Sequence, residues 1–143
     1  MGFLTLDGAN YLLGLFGGTE PKVDTYYVAL ITGSRPGLTT HGVELEEPAF
    51  ADYSRAQIAA DSSGWDVDQG VLTNTLEIPF PIPTSLWGVV SYWAITDSAE
   101  TGSGRVLWAG DCDNFTVNVA EQIFLPQGSL SLQMDLDSWQ EVT

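Results

Sequence analysis

The segment from Leu86 to Thr96 constrains the fold more than any other stretch. Trp87, Val89, Trp93 and Ile95 alternate with Leu86, Val90, Tyr92 and Ala94, so both faces of an extended chain are apolar. A strand with two greasy faces belongs in the middle of a sheet and under a second layer. Thr25 to Thr32 has the same two-sided character. Tyr53 to Ala59, Val71 to Phe80, Arg105 to Ala109, Asn114 to Val119 and Ser129 to Leu136 read as further strands, separated by glycine, proline and aspartate turns. In the last of them Leu130, Leu132, Met134 and Leu136 alternate with polar residues, as in a strand with one wet face. Alternate prolines at Pro79, Pro81 and Pro83 remove ladder donors, which places the end of the Val71 to Phe80 strand at an edge or a strand exit.

Only one helix precedes this run of strands. Asp7 to Gly18 offers Asp7 as N-cap, an apolar group in Leu12, Leu13, Leu15 and Phe16, and a Gly17-Gly18 stop. Gly8 and Gly14 weaken it, and about three turns are hardly stable alone, so it must dock on the strands. The pattern predicts a mainly β protein: an antiparallel β-sandwich or jelly roll over residues 1–143 as one domain, with helix 7–18 and strands in 19–143. The 143 residues, 44% of them hydrophobic, suffice for one core of this kind.

Charge narrows the partners. Nineteen acidic residues against four basic ones give a formal net charge of -15, which repels phosphate backbones and anionic membranes. Neither nucleic acid nor membrane is an expected partner. No apolar run reaches the ~18 residues of a membrane helix, no basic region precedes a hydrophobic start, and Leu6 stands where a myristoylation signal needs Ser or Thr. The expectation is a soluble chain without a secretory leader.

Candidate chemistry is sparse. His41, the single histidine, sits in a glycine-rich loop with no nucleophile elbow. Cys112 lies between Asp111 and Asp113, whose carboxylates disfavour a thiolate. Asp66, Asp68 and Glu77 superficially follow a calcium loop, but Gly70 occupies a ligand position and Val71 stands where the sharp turn needs glycine. A looser calcium site on Asp66 and Asp68, or on Asp111 and Asp113, stays open beside the reading of solvated acidic loops. Arg55 is expected to be partly buried, with Glu44 or Glu46 as its carboxylate. Trp87, Trp93 and Trp108 read as core, whereas Trp65 and Trp139, beside turns and acidic residues, are candidates for exposure and for stacking on a sugar ring. With no anion-binding cluster, metal quartet or credible nucleophile, no enzymatic activity is expected.

Several segments in order carry a resemblance. They are Asn10 to Gly18, Tyr27 to Thr32, Tyr53 to Arg55, Asn74 to Pro81, Trp87 to Asp97, Gly104 to Gly110 and Leu125 to Leu132. This succession resembles a family of small tailed-phage structural proteins, the tail-fibre or minor tail proteins, some of which look like head-decoration proteins. Asp111 and Asp113 stand where that family usually has a neutral apolar pair, and Ser138 to Thr143 looks additional. The resemblance implies a virion component without catalysis, on tail or on head, whose partners are copies of itself and other phage structural proteins. Apolar surface beyond what one sandwich needs points the same way, with Leu12, Leu13 and Phe16 of the helix and Phe80 and Ile82 of the extended segment as interface candidates. A glycan-binding module acting on a host surface is the alternative.

Overall fold

A computed structural model describes residues 2–133. Its elements are β1 (Gly2–Leu4), α1 (Leu6–Gly17), β2 (Thr25–Ile31), a 3-10 turn (Gly42–Glu44), β3 (Ala56–Ala59), β4 (Trp65–Asp68), β5 (Val71–Asn74), β6 (Ile78–Pro79), β7 (Gly88–Thr96), β8 (Val106–Val117), β9 (Phe124–Leu125) and β10 (Ser131–Gln133). Eight strands form one sheet in the order β3-β2-β7-β8-β1-β10-β5-β4, and β6 pairs with β9 in a separate two-stranded sheet. All neighbours are antiparallel except β1 and β10. The two outer strands, β3 and β4, are consecutive in the chain, so the link 60–64 draws the edges together and curls the sheet into a nearly closed, barrel-like layer. Gly64 permits this corner: a Cβ there would lie 2.3 Å from the Ala59 carbonyl oxygen. The mainly β class and the single N-terminal helix are as the sequence predicts.

The two-sided strands occupy the centre. In β2, Val28 and Leu30 face one cluster and Ala29 and Ile31 the other, and none of the four is exposed. The first cluster is the large interior, with Ile58, Trp93, Ile95, Trp108 and Phe80. The second is thinner, built from small residues such as Ala29, Ala94 and Ala109, with Leu45 and Phe3 packed on it. Leu45 belongs to the long β2–β3 connection, which is fastened where the Thr32 amide donates to the Glu46 carbonyl at 2.8 Å. A loop therefore supplies the second layer on that face, where a sandwich would use another sheet.

Thr5, and not Asp7, caps α1. The Thr5 Oγ1 accepts the Gly8 amide at 3.0 Å, and the same hydroxyl lies against the Val106 and Leu107 carbonyls of β8. Asp7 instead meets the His41 ring, Oδ2 to Nδ1 at 2.9 Å. Gly18, at φ 76°, closes the helix in the left-handed region that glycine tolerates. Gly8 has a steric reason: a Cβ there would sit 1.6 Å from the Leu107 carbonyl oxygen. Gly8→Ala is expected to push the helix off β8 at a cost of about 1–3 kcal/mol, read as a lower urea midpoint. An unchanged midpoint would contradict this helix docking.

Other boundaries differ from expectation for identifiable reasons. The strand expected from Tyr53 begins only at Ala56, because Tyr53 and Arg55 turn their side chains into a polar network described below. Val71 to Phe80 divides into β5 and β6, as Asn74 donates its side-chain amide to the Leu76 and Pro126 carbonyls and bends the chain. The segments expected at Arg105 to Ala109 and Asn114 to Val119 are one strand, β8. Its register against β7 shifts between Val90 and Tyr92, which absorbs the extra residues around Cys112 and leaves Asp111 and Asp113 exposed. β1, β4 and β9 were not foreseen; each has at most four residues. Of the strand expected to reach Leu136, β10 covers Ser131–Gln133, and Met134 and Leu136 lie outside the described residues.

Candidate functional site

The most elaborate polar cluster is built around Arg55. Its side chain is fully buried, and the partner is Glu47, not Glu44 or Glu46. The guanidinium grips the carboxylate with two parallel bonds, Nε to Oε1 and Nη2 to Oε2, both at 2.9 Å. Its remaining nitrogen donates to Thr96 Oγ1 and to the carbonyls of Ser98 and Ser103 at 2.8–3.0 Å. Glu47 also accepts from the Tyr53 hydroxyl and the Gly102 amide. Burial, together with the Glu47 charge, pushes the Tyr53 phenol well above its ordinary range. Glu44 lies exposed and accepts the His41 amide. The Arg55 guanidinium and the Glu47 carboxylate are satisfied by protein groups. The arrangement ties the long connection, β3 and the β7–β8 turn together, and it offers no reacting atom.

A cleft of about 480 Å³ opens between α1 and the β4–β5 edge. Leu4, Tyr11, Tyr26, Trp65, Trp108 and Leu132 line it, with Asp61 and Asp66 at the rim. Tyr11, Tyr26, Trp65, Trp108 and Trp93 form a continuous ring chain, with centroids 5.1–6.5 Å apart. Trp65 is thus half-buried against the interior and is no free platform for a sugar ring, while its buried Nε1 finds no protein acceptor. The hydroxyl and amide of Ser63 hold the Asp61 carboxyl below the usual range. It remains a carboxylate at neutral pH, unlike a general acid.

The other ionisable candidates do not converge. His41 is exposed and paired with Asp7. Burial first, then Asp113 and Asp111, push the Cys112 thiol up to about 11, so it is protonated at neutral pH. Asp111 faces Arg35 at 3.6 Å. Asp66 and Asp68 are exposed on β4. Among the described residues no three His, Cys, Asp or Glu side chains gather around one point.

Exposed apolar surface is the prominent feature that remains. Phe16 is 97% exposed and Leu13 70%. Leu12 and Ile82 are also exposed. A model of the family described as podophage GP4 fiber I protein gp80 matches residues 8–133. The chain belongs to this family of podophage fibre proteins. No curated protein matches it. The tail-fibre resemblance read from the sequence is therefore the family found, and the chain is a component of a phage virion with a structural role.

In this fibre protein Leu12, Leu13, Phe16 and Ile82 lie at the surface, but Phe80 is 1% exposed and belongs to the interior cluster. Proline alternation misled the reading of Phe80. Its amide donates to the Ile123 carbonyl, so the 78–80 segment is pinned by 123–125 with the ring turned inward. Trp139 lies outside the described residues. Asp52 was missed altogether: its Oδ2 accepts the amides of Thr84 and Ser85 and the Trp87 indole N–H at 3.1 Å. Those bonds outweigh desolvation and hold its carboxyl below the usual range. No local signal marks Asp52, because the groups it fastens are more than 30 residues away in sequence.

Proposed function

We propose that this chain is a non-enzymatic subunit of a tail fibre, assembled in the host cytoplasm and packed against its own copies and other virion proteins. The observation that carries the reading is the outward face of α1, where Phe16 is 97% and Leu13 70% exposed. Residues 8–19 contain no charged side chain, although the chain carries -15 overall. Copies with such a charge repel one another across most of their surface, so an uncharged apolar face is where they can meet. Leu12 borders the same face. The acidic remainder keeps the assembly off nucleic acid and anionic lipid.

Size-exclusion chromatography with light scattering tests this. The unsubstituted chain is expected to elute as a multimer whose mass rises with concentration. Leu13→Asp with Phe16→Asp is expected to lower that mass at a cost of only about 1 kcal/mol in stability, from the weaker helix propensity of Asp and its charge in the last turn of α1, since both side chains are solvated in the single chain. A chain that stays monomeric at every concentration would remove the self-packing part of the reading.

A further inference from the structure

We infer that the open edge of β4 receives an extended segment of another virion protein in which apolar and basic residues alternate; this rests on the virion-subunit reading above and names the chemistry of one partner. β4 is a terminal strand of the eight-stranded sheet. Gln69 and Gly70, at φ 50° and 78°, join it to β5 by a two-residue turn. In a hairpin of that kind the two residues flanking the turn exchange both ladder bonds, and the pattern repeats at every second residue. Asp68 with Val71 and Asp66 with Thr73 therefore hold the ladder, and the Val67 amide and carbonyl point away from β5. Among the described residues Val67 makes no backbone hydrogen bond on that outer side. An edge with a free amide and carbonyl can bind a further strand.

The side chains along this edge specify what the added strand carries. Trp65 and Val67 share the face that lines the cleft with Leu72 and Leu132. Asp66 and Asp68 alternate with them on the other face, Asp66 at the cleft rim. Val67 is 70% exposed, since no strand lies beyond it. A strand laid along β4 would cover Val67 with an apolar side chain, for which the cleft of about 480 Å³ has room, and would set its alternate residues beside the two aspartates. Both aspartates are exposed, and neither forms an ion pair with a described residue. Lys22 acts on Asp61 and pairs with neither of them. Opposite charges across a strand pair attract and like charges repel. A second copy, at -15, is therefore opposed at this edge, whereas lysine or arginine is favoured. Charges on a short edge strand can also serve only to keep copies apart. That role accounts for Asp66 and Asp68 but leaves Val67 bare between them, beside an apolar hollow.

Peptide binding to the full chain tests this, by isothermal titration calorimetry at about 0.15 M salt, where distant surface charges are screened. The probe is a capped Lys-Val-Lys-Val-Lys-Val peptide. A Lys-Lys-Lys-Val-Val-Val peptide has the same composition and charge without the alternation. The alternating peptide is expected to bind at least about tenfold more tightly than the block peptide. Asp66→Lys/Asp68→Lys is expected to weaken it by about tenfold or more and to accept a Glu-Val-Glu-Val-Glu-Val peptide in its place. Val67→Pro removes the outward amide, leaves the β5 ladder intact and is expected to abolish binding. Circular dichroism and thermal melts establish folding, and Asp66→Asn/Asp68→Asn, expected to weaken binding without the swap, replaces the lysines if the melt is lost. Equal binding of the two lysine peptides, or undiminished binding by the Asp66/Asp68 variant, reduces the effect to general attraction between opposite charges and overturns the edge site. No binding of the alternating peptide by a chain that self-associates in light scattering also overturns it and leaves the subunit reading intact. A chain absent from virions overturns the subunit reading, whatever the peptide does.

Discussion

Replacing Arg55 by Met is expected to destabilise the fold by about 3–5 kcal/mol, measured as a lower urea midpoint. The substitution keeps most of the side-chain volume and removes the cation, leaving Glu47 buried with only the Tyr53 hydroxyl and the Gly102 amide as donors. A buried carboxylate without its counter-charge is the costly state, more than the loss of attraction itself. The double variant Arg55→Met/Glu47→Leu removes both charges and is therefore expected to recover much of the loss. Glu44→Ala, at an exposed position, is expected to change stability by no more than about 0.5 kcal/mol. A Glu44 variant as damaging as the Arg55 variant would contradict the Glu47 pairing.

Phe80→Ala is expected to cost about 3–5 kcal/mol, because the ring is 1% exposed and its removal leaves a cavity in the interior cluster. The contrast with Phe16→Asp is what separates the core from the proposed contact surface. Both are phenylalanines beside apolar neighbours, yet the first substitution should lower the melting temperature of the single chain and the second should alter only its association. A Phe80→Ala chain that melts normally but fails to associate would place that ring at a contact between copies.

What could be read from residue order follows a physical rule. Alternating and two-sided apolar runs located β2, β7 and most of β8, because burial on a strand leaves a period of two whatever the tertiary setting. The helix also announced itself through its glycine stop, although its cap moved from Asp7 to Thr5 once the hydroxyl of Thr5 could reach β8. β1 and β9 were invisible because strands of two or three residues have no period to display. At Arg55 the type of partner was legible and its identity was not. Three glutamates lie within four positions, and only the path of the β2–β3 connection decides that Glu47 turns inward while Glu44 and Glu46 stay out. Trp65 failed for a related reason. Its acidic and turn-forming neighbours describe the rim of the cleft, but the indole itself reaches Tyr26 and Trp108 across the curl of the sheet.

Location on the particle tests the account most directly. Antibody raised against the purified chain, with a gold label, can be imaged on intact particles of the phage that encodes it. The account predicts label along the tail fibres, in more than one copy per fibre. Label confined to the capsid surface, or absent from particles altogether, would contradict it.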